Sequence, residues 1–255
     1  MKIKVLGASG SEVPRRNCPA FLVDARILLD AGTIGVSLNI SEETGIDSIL
    51  LSHAHFDHIK GIPFLLDNRV IRDAEKRITV MTGEDVIRDL RTNIFNDRIW
   101  PDFTQIPTPD RPVLKFGTLV PGRRVLVDGF HVTMERVNHT VPSYGFVVEN
   151  SAGEAIAYTG DTGPTDLFWT SLNGVKARAL IVETSFPNRM EELALKSGHL
   201  TPALLEKEIA KISPAPPMIL LMHAKPQYQA EIERDVQSLR NHTIRFLLEG
   251  ETFSI

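Results

Sequence analysis

A single cysteine, Cys18, stands among 255 residues. One thiol cannot form an intramolecular disulfide, which favours a reducing compartment, and multi-cysteine zinc sites are excluded. Any metal must therefore be held by His, Asp or Glu. Positive charge is also in short supply, with 28 Lys and Arg against 32 Asp and Glu and a formal net charge of −4. That balance removes the global basic field expected of a protein that grips long duplex nucleic acid or an anionic membrane. Long apolar runs are missing as well: no stretch approaches the ~20 apolar residues of a membrane-spanning helix. The opening MKIKVLG alternates like a strand and lacks the apolar run of a signal peptide. These absences lead to the expectation of a cytoplasmic protein with no membrane partner.

What the sequence does contain is a series of short apolar runs bordered by Gly, Asp and Asn. Runs at 3–7, 48–52, 77–83, 144–150, 155–161, 179–184, 218–223 and 244–250 read as strands, as do longer stretches at 124–139 and at 20–32, the latter as a hairpin. Helical spacing appears between them. GIPFLLDN follows a His-rich loop, and 83–95 sets Val86, Leu90 and Ile94 four residues apart. Thr201 and Pro202 form a cap and first turn ahead of Leu205, Ile209 and Ile212, and Ile232, Val236 and Leu239 repeat the pattern. Hairpins mixed with helices predict two mixed sheets flanked by helices rather than one doubly wound parallel sheet. The early GASGS does not complete the glycine pattern of a dinucleotide site.

The chemistry concentrates in LSHAHFDHIKGIP, residues 51–63, which holds His53, His55, Asp57 and His58. Chance would place this pattern in roughly one chain in a few thousand at ordinary composition. Three further candidates lie downstream. His139 ends the strand-like FHVTMERVNH, Asp161 follows AIAYTG, and His223 follows MILLM. Each sits just past the C-terminal end of an expected strand, and such ends converge on one edge of a sheet containing parallel strands. Two bound metal ions are expected. Nitrogen and oxygen donors suit Zn²⁺, Fe or Mn²⁺, with zinc placed first.

His-x-His-x-Asp-His followed by a lone His, a lone Asp and a lone His resembles the metallo-β-lactamase superfamily, over nearly the whole chain. The resemblance implies an α/β fold, a four-layer αββα sandwich, in a single domain over 1–255. Its two similar halves would divide near residue 123 (1–123 and 124–255), with a lid segment at 84–112. It also implies that His53, His55 and His139 hold one metal, that Asp57, His58 and His223 hold the other, and that Asp161 bridges them. A hydroxide between the metals is then the nucleophile. Asp30, ending RILLDAG, is either an acceptor behind a ligand imidazole or a simple turn aspartate before Gly32.

Four more stretches refine the likeness. ILLDAGT (27–33), FNDRIWPDF (95–103), GHLTP (198–202) and HAKP (223–226) together resemble the class II 3′,5′-cyclic-nucleotide phosphodiesterases. Phe56 stands where that family usually has leucine, and GIPFLL also resembles the transfer-RNA 3′-end endonucleases. The implied activity is hydrolysis of cyclic AMP or cyclic GMP, small-molecule substrates, to 5′-monophosphates. The resemblance places His199 near the reacting phosphate; in this reading Glu183 orients it and Asp57 joins them as a catalytic residue. Against this, His199 also reads as a polar residue ahead of the Thr201 cap. Asn96, Trp100 and Phe103 either contact the base or anchor the lid, and Tyr144 and Phe146 share that ambiguity. His131 and His242 read as structural or surface residues. Two other functions remain open: a structured-RNA phosphodiesterase, and a metal-binding regulatory module without activity. A homodimer is compatible with all of these readings.

Overall fold

The computed structural model describes residues 1–239 and 243–255, so His242 lies outside the described residues. In chain order the first strands are β1 (Lys2–Gly7), β2 (Ala20–Val23), β3 (Ile27–Leu29), β4 (Ser48–Leu50) and β5 (Ile78–Thr82). They are followed by the two-residue β6 (Pro107–Thr108) and β7 (Arg111–Pro112), then β8 (Leu114–Thr118). The later strands are β9 (Arg124–Val127), β10 (Phe130–Arg136), β11 (Tyr144–Glu149), β12 (Glu154–Tyr158), β13 (Lys176–Glu183), β14 (Met218–Met222), β15 (Ile244–Phe246) and β16 (Thr252–Ser254). The helices are α1 (Ile40–Thr44), α2 (Phe56–Ile59), α3 (Gly61–Asp73), α4 (Glu84–Asn93), α5 (Leu167–Thr170), α6 (Glu191–Ser197), α7 (Pro202–Ile209) and α8 (Gln229–Val236).

Two seven-stranded sheets result, ordered β16-β1-β2-β3-β4-β5-β8 and β9-β10-β11-β12-β13-β14-β15. Read in those directions, both sheets begin with three antiparallel pairings and end with three parallel ones. The strands β3, β4, β12, β13 and β14, each with a parallel neighbour, carry the candidate ligands or their supports at their C-terminal ends, except His139, which follows antiparallel β10.

Period-two alternation assigns the strand faces. Ile156, Tyr158, Ile181, Leu220 and Met222 join the large core between the sheets, together with Ile3, Phe21, Leu28 and Ile49 from the first sheet. Their neighbours Ala155, Ala157, Leu180, Val182, Ile219 and Leu221 face outward, against Phe168 and Trp169 of α5 and Leu204, Leu205 and Ile209 of α7. The architecture is the αββα sandwich. Among the described residues no helix is long and apolar enough to cross a membrane.

Two local features differ from the sequence reading. The run 244–250 is strand only over β15; the chain turns at Gly250, at φ +82°, and β16 crosses to pair antiparallel with β1 of the other sheet. Helix α1 went unrecognised although Asn39 and Glu42 cap it reciprocally. The segment 84–112 is anchored at both ends of α4. Val86 and Leu90 are buried, and Asp85 accepts hydrogen bonds from Tyr144 of β11 and Arg136 of β10.

Candidate metal centre

The His-rich loop leaves β4 and turns into α2, which opens with His55 as its N-cap. This short turn sends His53 and His58 inward, both fully buried, while His55 and Asp57 stay half-buried. His139 arrives from the β10–β11 connection, Asp161 from the end of β12, and His223 from the end of β14. Donor atoms of His53, His55, His139 and Asp161 lie within 4.8 Å of one another, as do those of Asp57, His58 and His223. Asp161 lies between these groups: its carboxylate is 3.9 Å from His53 Nε2, 3.4 Å from His58 Nε2 and 3.1 Å from His223 Nε2. His223 Nε2 is also 3.3 Å from Asp57 Oδ2.

Two carboxylate–serine pairs brace histidines around the clusters. Asp30, fully buried at the end of β3, accepts from His58 Nδ1 at 2.6 Å, from Ser52 Oγ at 2.7 Å and from the Ser52 amide at 2.7 Å. It also accepts from the Tyr158 hydroxyl. Ser52 Oγ in turn accepts from His53 Nδ1 at 2.9 Å. The arrangement recurs behind the second sheet. Glu183 accepts from His199 Nδ1 at 2.7 Å and from Ser185 Oγ at 2.7 Å, and Ser185 Oγ accepts from His223 Nδ1 at 2.9 Å. In each half one carboxylate holds one imidazole directly and a second through a hydroxyl. With Nδ1 committed in this way, Nε2 of His53, His58, His199 and His223 is the nitrogen left for a ligand.

His139 is fixed by a backbone device. Its Nδ1 donates to the Gly198 carbonyl at 2.8 Å. Gly198 closes α6 in the left-handed conformation, φ +68°, and a Cβ there would stand 3.0 Å from His139 Cα. Only glycine meets both demands at once. His223 itself sits at φ +63°, a strained setting for a side chain of this kind, held by its amide donating to Ala8 O at 2.6 Å.

The electrostatics match a cation-binding role. Burial pushes the pKa of His53 well below its ordinary value, and burial likewise lowers those of His55 and His139, so these imidazoles are neutral. Burial works against ionised Asp161 and Asp57, but the surrounding histidines outweigh it and hold both carboxyls below the usual range. His58 is the exception: burial lowers its pKa, but Asp161 and Asp30 outweigh burial and hold it well above its ordinary value. His53 Nε2, His58 Nε2 and Asp161 Oδ1 are buried without a hydrogen-bond partner. Such orphaned atoms cost ~1–3 kcal/mol each, and their convergence within a nitrogen–oxygen donor set fits divalent metal.

His199, 7% exposed, stacks on His223 with ring centroids 5.2 Å apart and joins Asp161 and His223 within donor range. Other expected residues have different surroundings. Phe103 is buried against Phe95, and the Asn96 side chain is spent on Thr92 O and the amides of Arg98 and Ile99. Tyr144 and Phe146 belong to the core, and with Phe103 none of these three buried rings offers a free face to a base. Trp100 is partly exposed and packed on Phe64. Ser52, Ser185 and Tyr158 carry the bracing network without having been singled out for it. Their only sequence signal is that the two serines closely follow strands β4 and β13.

Residues 25–224 match the family model described as the beta-lactamase superfamily domain. A probable 3′,5′-cyclic-nucleotide phosphodiesterase of Yersinia pestis is 28% identical over 207 residues, covering 72% of this chain. The match spans only 58% of that relative's length. A ribonuclease Z of Metallosphaera sedula is 24% identical, covering 99% of this chain and 98% of its own. Unliganded yeast PDE1 superposes with a TM-score of 0.83 at 18% identity, covering 98% of each chain, which is a likeness of fold.

Proposed function

The chain belongs to the β-lactamase superfamily of hydrolases, and from that premise we propose that it hydrolyses 3′,5′-cyclic nucleotides, cyclic AMP or cyclic GMP, to 5′-monophosphates. The observation that carries this reading is the Glu183–His199 pair, joined at 2.7 Å beside both ligand clusters. The similarity to the Yersinia pestis phosphodiesterase supports the choice of substrate.

In this reading His53, His55 and His139 hold one divalent ion, Asp57, His58 and His223 hold the other, and Asp161 reaches both. Zinc is the first choice, with iron or manganese suited by the same donors. Two such ions, when bound, acidify water and draw negative charge from phosphate oxygens. The protein's own groups do the rest. Asp57 and Asp161 stay ionised, and Asp30 and Glu183 aim the imidazoles. Burial disfavours protonated His199, but the charge and hydrogen bond of Glu183 outweigh it and raise the pKa. His199 therefore keeps its proton to higher pH than a free histidine, and Nε2 gives it to the departing 3′-oxygen. We place this chemistry in the cytoplasm, where nucleotides occur and a lone buried thiol stays reduced.

The test is a substrate panel on protein reconstituted separately with Zn²⁺, Fe²⁺ and Mn²⁺, containing cyclic mononucleotides, cyclic dinucleotides, a generic phosphodiester, a thioester and RNA. The expected product is a 5′-monophosphate from a cyclic mononucleotide. Ready cleavage of another ester, with no cyclic mononucleotide cleaved, overturns the reading.

Ser185 offers a narrower check. Ser185→Ala is expected to weaken metal binding ~10-fold or more, the effect of removing a support behind a ligand, and Ser185→Thr to restore it, measured by chelator competition. Equal affinity in all three proteins would show that His223 needs no hydroxyl behind it.

Near full-length similarity to a ribonuclease Z favours one other substrate, structured RNA. RNA binding through several phosphates would weaken steeply between low and moderate salt. A flat salt response separates the two substrates in favour of the cyclic nucleotide.

A further inference from the structure

A slot of about 300 Å³ opens beside the start of α3. It is lined by Ile34 and Val36 from the loop after β3, by Lys60 and Phe64, and by Glu12. Its size is at the lower end of small-molecule sites. Gly32, which also lines it, is pressed against the ligand loop: a Cβ there would stand 1.9 Å from the Asp57 carbonyl oxygen. One wall of the slot therefore borders the backbone of the ligand loop at Asp57.

The chain geometry extends that border outward. Lys60 joins α2 to α3 in helical conformation, φ −58° and ψ −23°. Phe56, Lys60 and Phe64 thus follow one another at intervals of four along one helical face, starting beside Asp57. Phe56 is 67%, Phe64 60% and Val36 80% exposed. Large apolar side chains gathered around a concavity mark a surface built to be covered. Phe64 is also held in place, since Trp100 packs against it edge-on with centroids 5.4 Å apart. Lys60 Nζ and Glu12 form an ion pair at 2.5 Å, which adds a donor and an acceptor to an otherwise apolar lining.

We propose that this slot seats the nucleobase of the substrate, with Phe64 as its stacking surface and the Lys60–Glu12 pair along its polar edge. The proposal rests on the cyclic-nucleotide reading. A planar heterocycle with a hydrogen-bonding rim matches a fixed aromatic ring flanked by an ion pair better than an aliphatic chain would. In a mononucleotide the base is one sugar from the phosphate, and the slot lies one short loop from Asp57. Stacking on an aromatic side chain contributes ~1–3 kcal/mol per base with little base preference.

Phe64→Ala and Phe64→Tyr, compared with wild type, test the assignment. The substrates are cyclic AMP and ribose 3′,5′-cyclic phosphate, which lacks the base. Phe64→Ala is expected to lower kcat/KM for cyclic AMP by ~10-fold or more relative to the base-free compound, the equivalent of ~1.4 kcal/mol of stacking, and Phe64→Tyr to restore the ratio. Titration with 5′-AMP gives a second readout, because Trp100 touches Phe64 while Trp169 is buried and bonded to Glu208. Quenching of tryptophan fluorescence by 5′-AMP, and not by ribose 5-phosphate, is expected in wild type and lost in Phe64→Ala. Hydrolysis of cyclic AMP with an unchanged ratio in Phe64→Ala overturns the slot and leaves the hydrolytic reading standing. If no cyclic nucleotide is cleaved, the hydrolytic reading fails, and absence of AMP quenching then overturns the slot as well. A changed sedimentation coefficient in Phe64→Ala, with nucleotide binding intact, would assign this face to a second copy of the chain and also overturn the proposal.

Discussion

His199→Ala is expected to lower kcat on cyclic AMP by ~10²–10⁴-fold, the usual contribution of a positioned general acid, with both metal ions retained. Metal retention is the part of the result that discriminates. His199 shares donor range with Asp161 and His223, so distance alone allows it to be a ligand. Its hydrogen bonding does not decide the matter: Nδ1 is bound to Glu183 as His58 Nδ1 is bound to Asp30, and each carboxylate raises the pKa of the ring that it holds, so the metal count has to separate acid from ligand. Loss of one metal equivalent from the alanine variant, read by elemental analysis, would make His199 a ligand and remove it as the acid.

Glu183→Gln extends the argument to pH. Glu183 raises the pKa of His199 despite burial, so replacing its charge lowers that pKa. The acid works only while protonated, and activity is lost as pH rises through its pKa. The basic limb of the kcat profile is therefore expected to move to lower pH in Glu183→Gln. A limb that stays in place would mean that another group donates the proton.

The clustered candidates were legible because six consecutive positions hold four of them, and because His139, Asp161 and His223 each follow a readable strand. The mixed sheets were legible because short apolar runs bounded by turn residues mark strands even as short as the fully buried β4. The bracing network was not. Ser52 and Ser185 acquire their roles only when the ends of β3 and β4, or of β13 and β14, lie side by side, and a lone serine carries no periodic signal. Phe64 was hidden differently. Within GIPFLLDN it reads as one more apolar helix residue, yet Ile62, Leu65 and Leu66 take the buried face and leave it outside. Phe103 shows the reverse: an aromatic in a polar loop that tertiary packing draws into the core.

Asp30 carries the largest expected effect on the protein itself. Its side chain is fully buried and receives His58 Nδ1, Ser52 Oγ, the Ser52 amide and the Tyr158 hydroxyl. Asp30→Ala would strand these donors in a fully buried site, and removing one partner of a buried charged network costs ~3–5 kcal/mol. It would also place alanine at φ +54°, a left-handed setting that aspartate and asparagine tolerate better. Asp30→Asn separates the two contributions. Asparagine keeps the backbone preference and an acceptor oxygen, so thermal stability is expected to fall less than in Asp30→Ala. His58, however, would lose the charged partner that fixes its tautomer, and metal affinity is expected to drop ~10–100-fold, as for other supports of ligating histidines. Denaturant unfolding and chelator competition on the two variants measure these effects separately. An asparagine variant that binds metal as tightly as wild type would reduce Asp30 to the turn residue that its place before Gly32 also suggests.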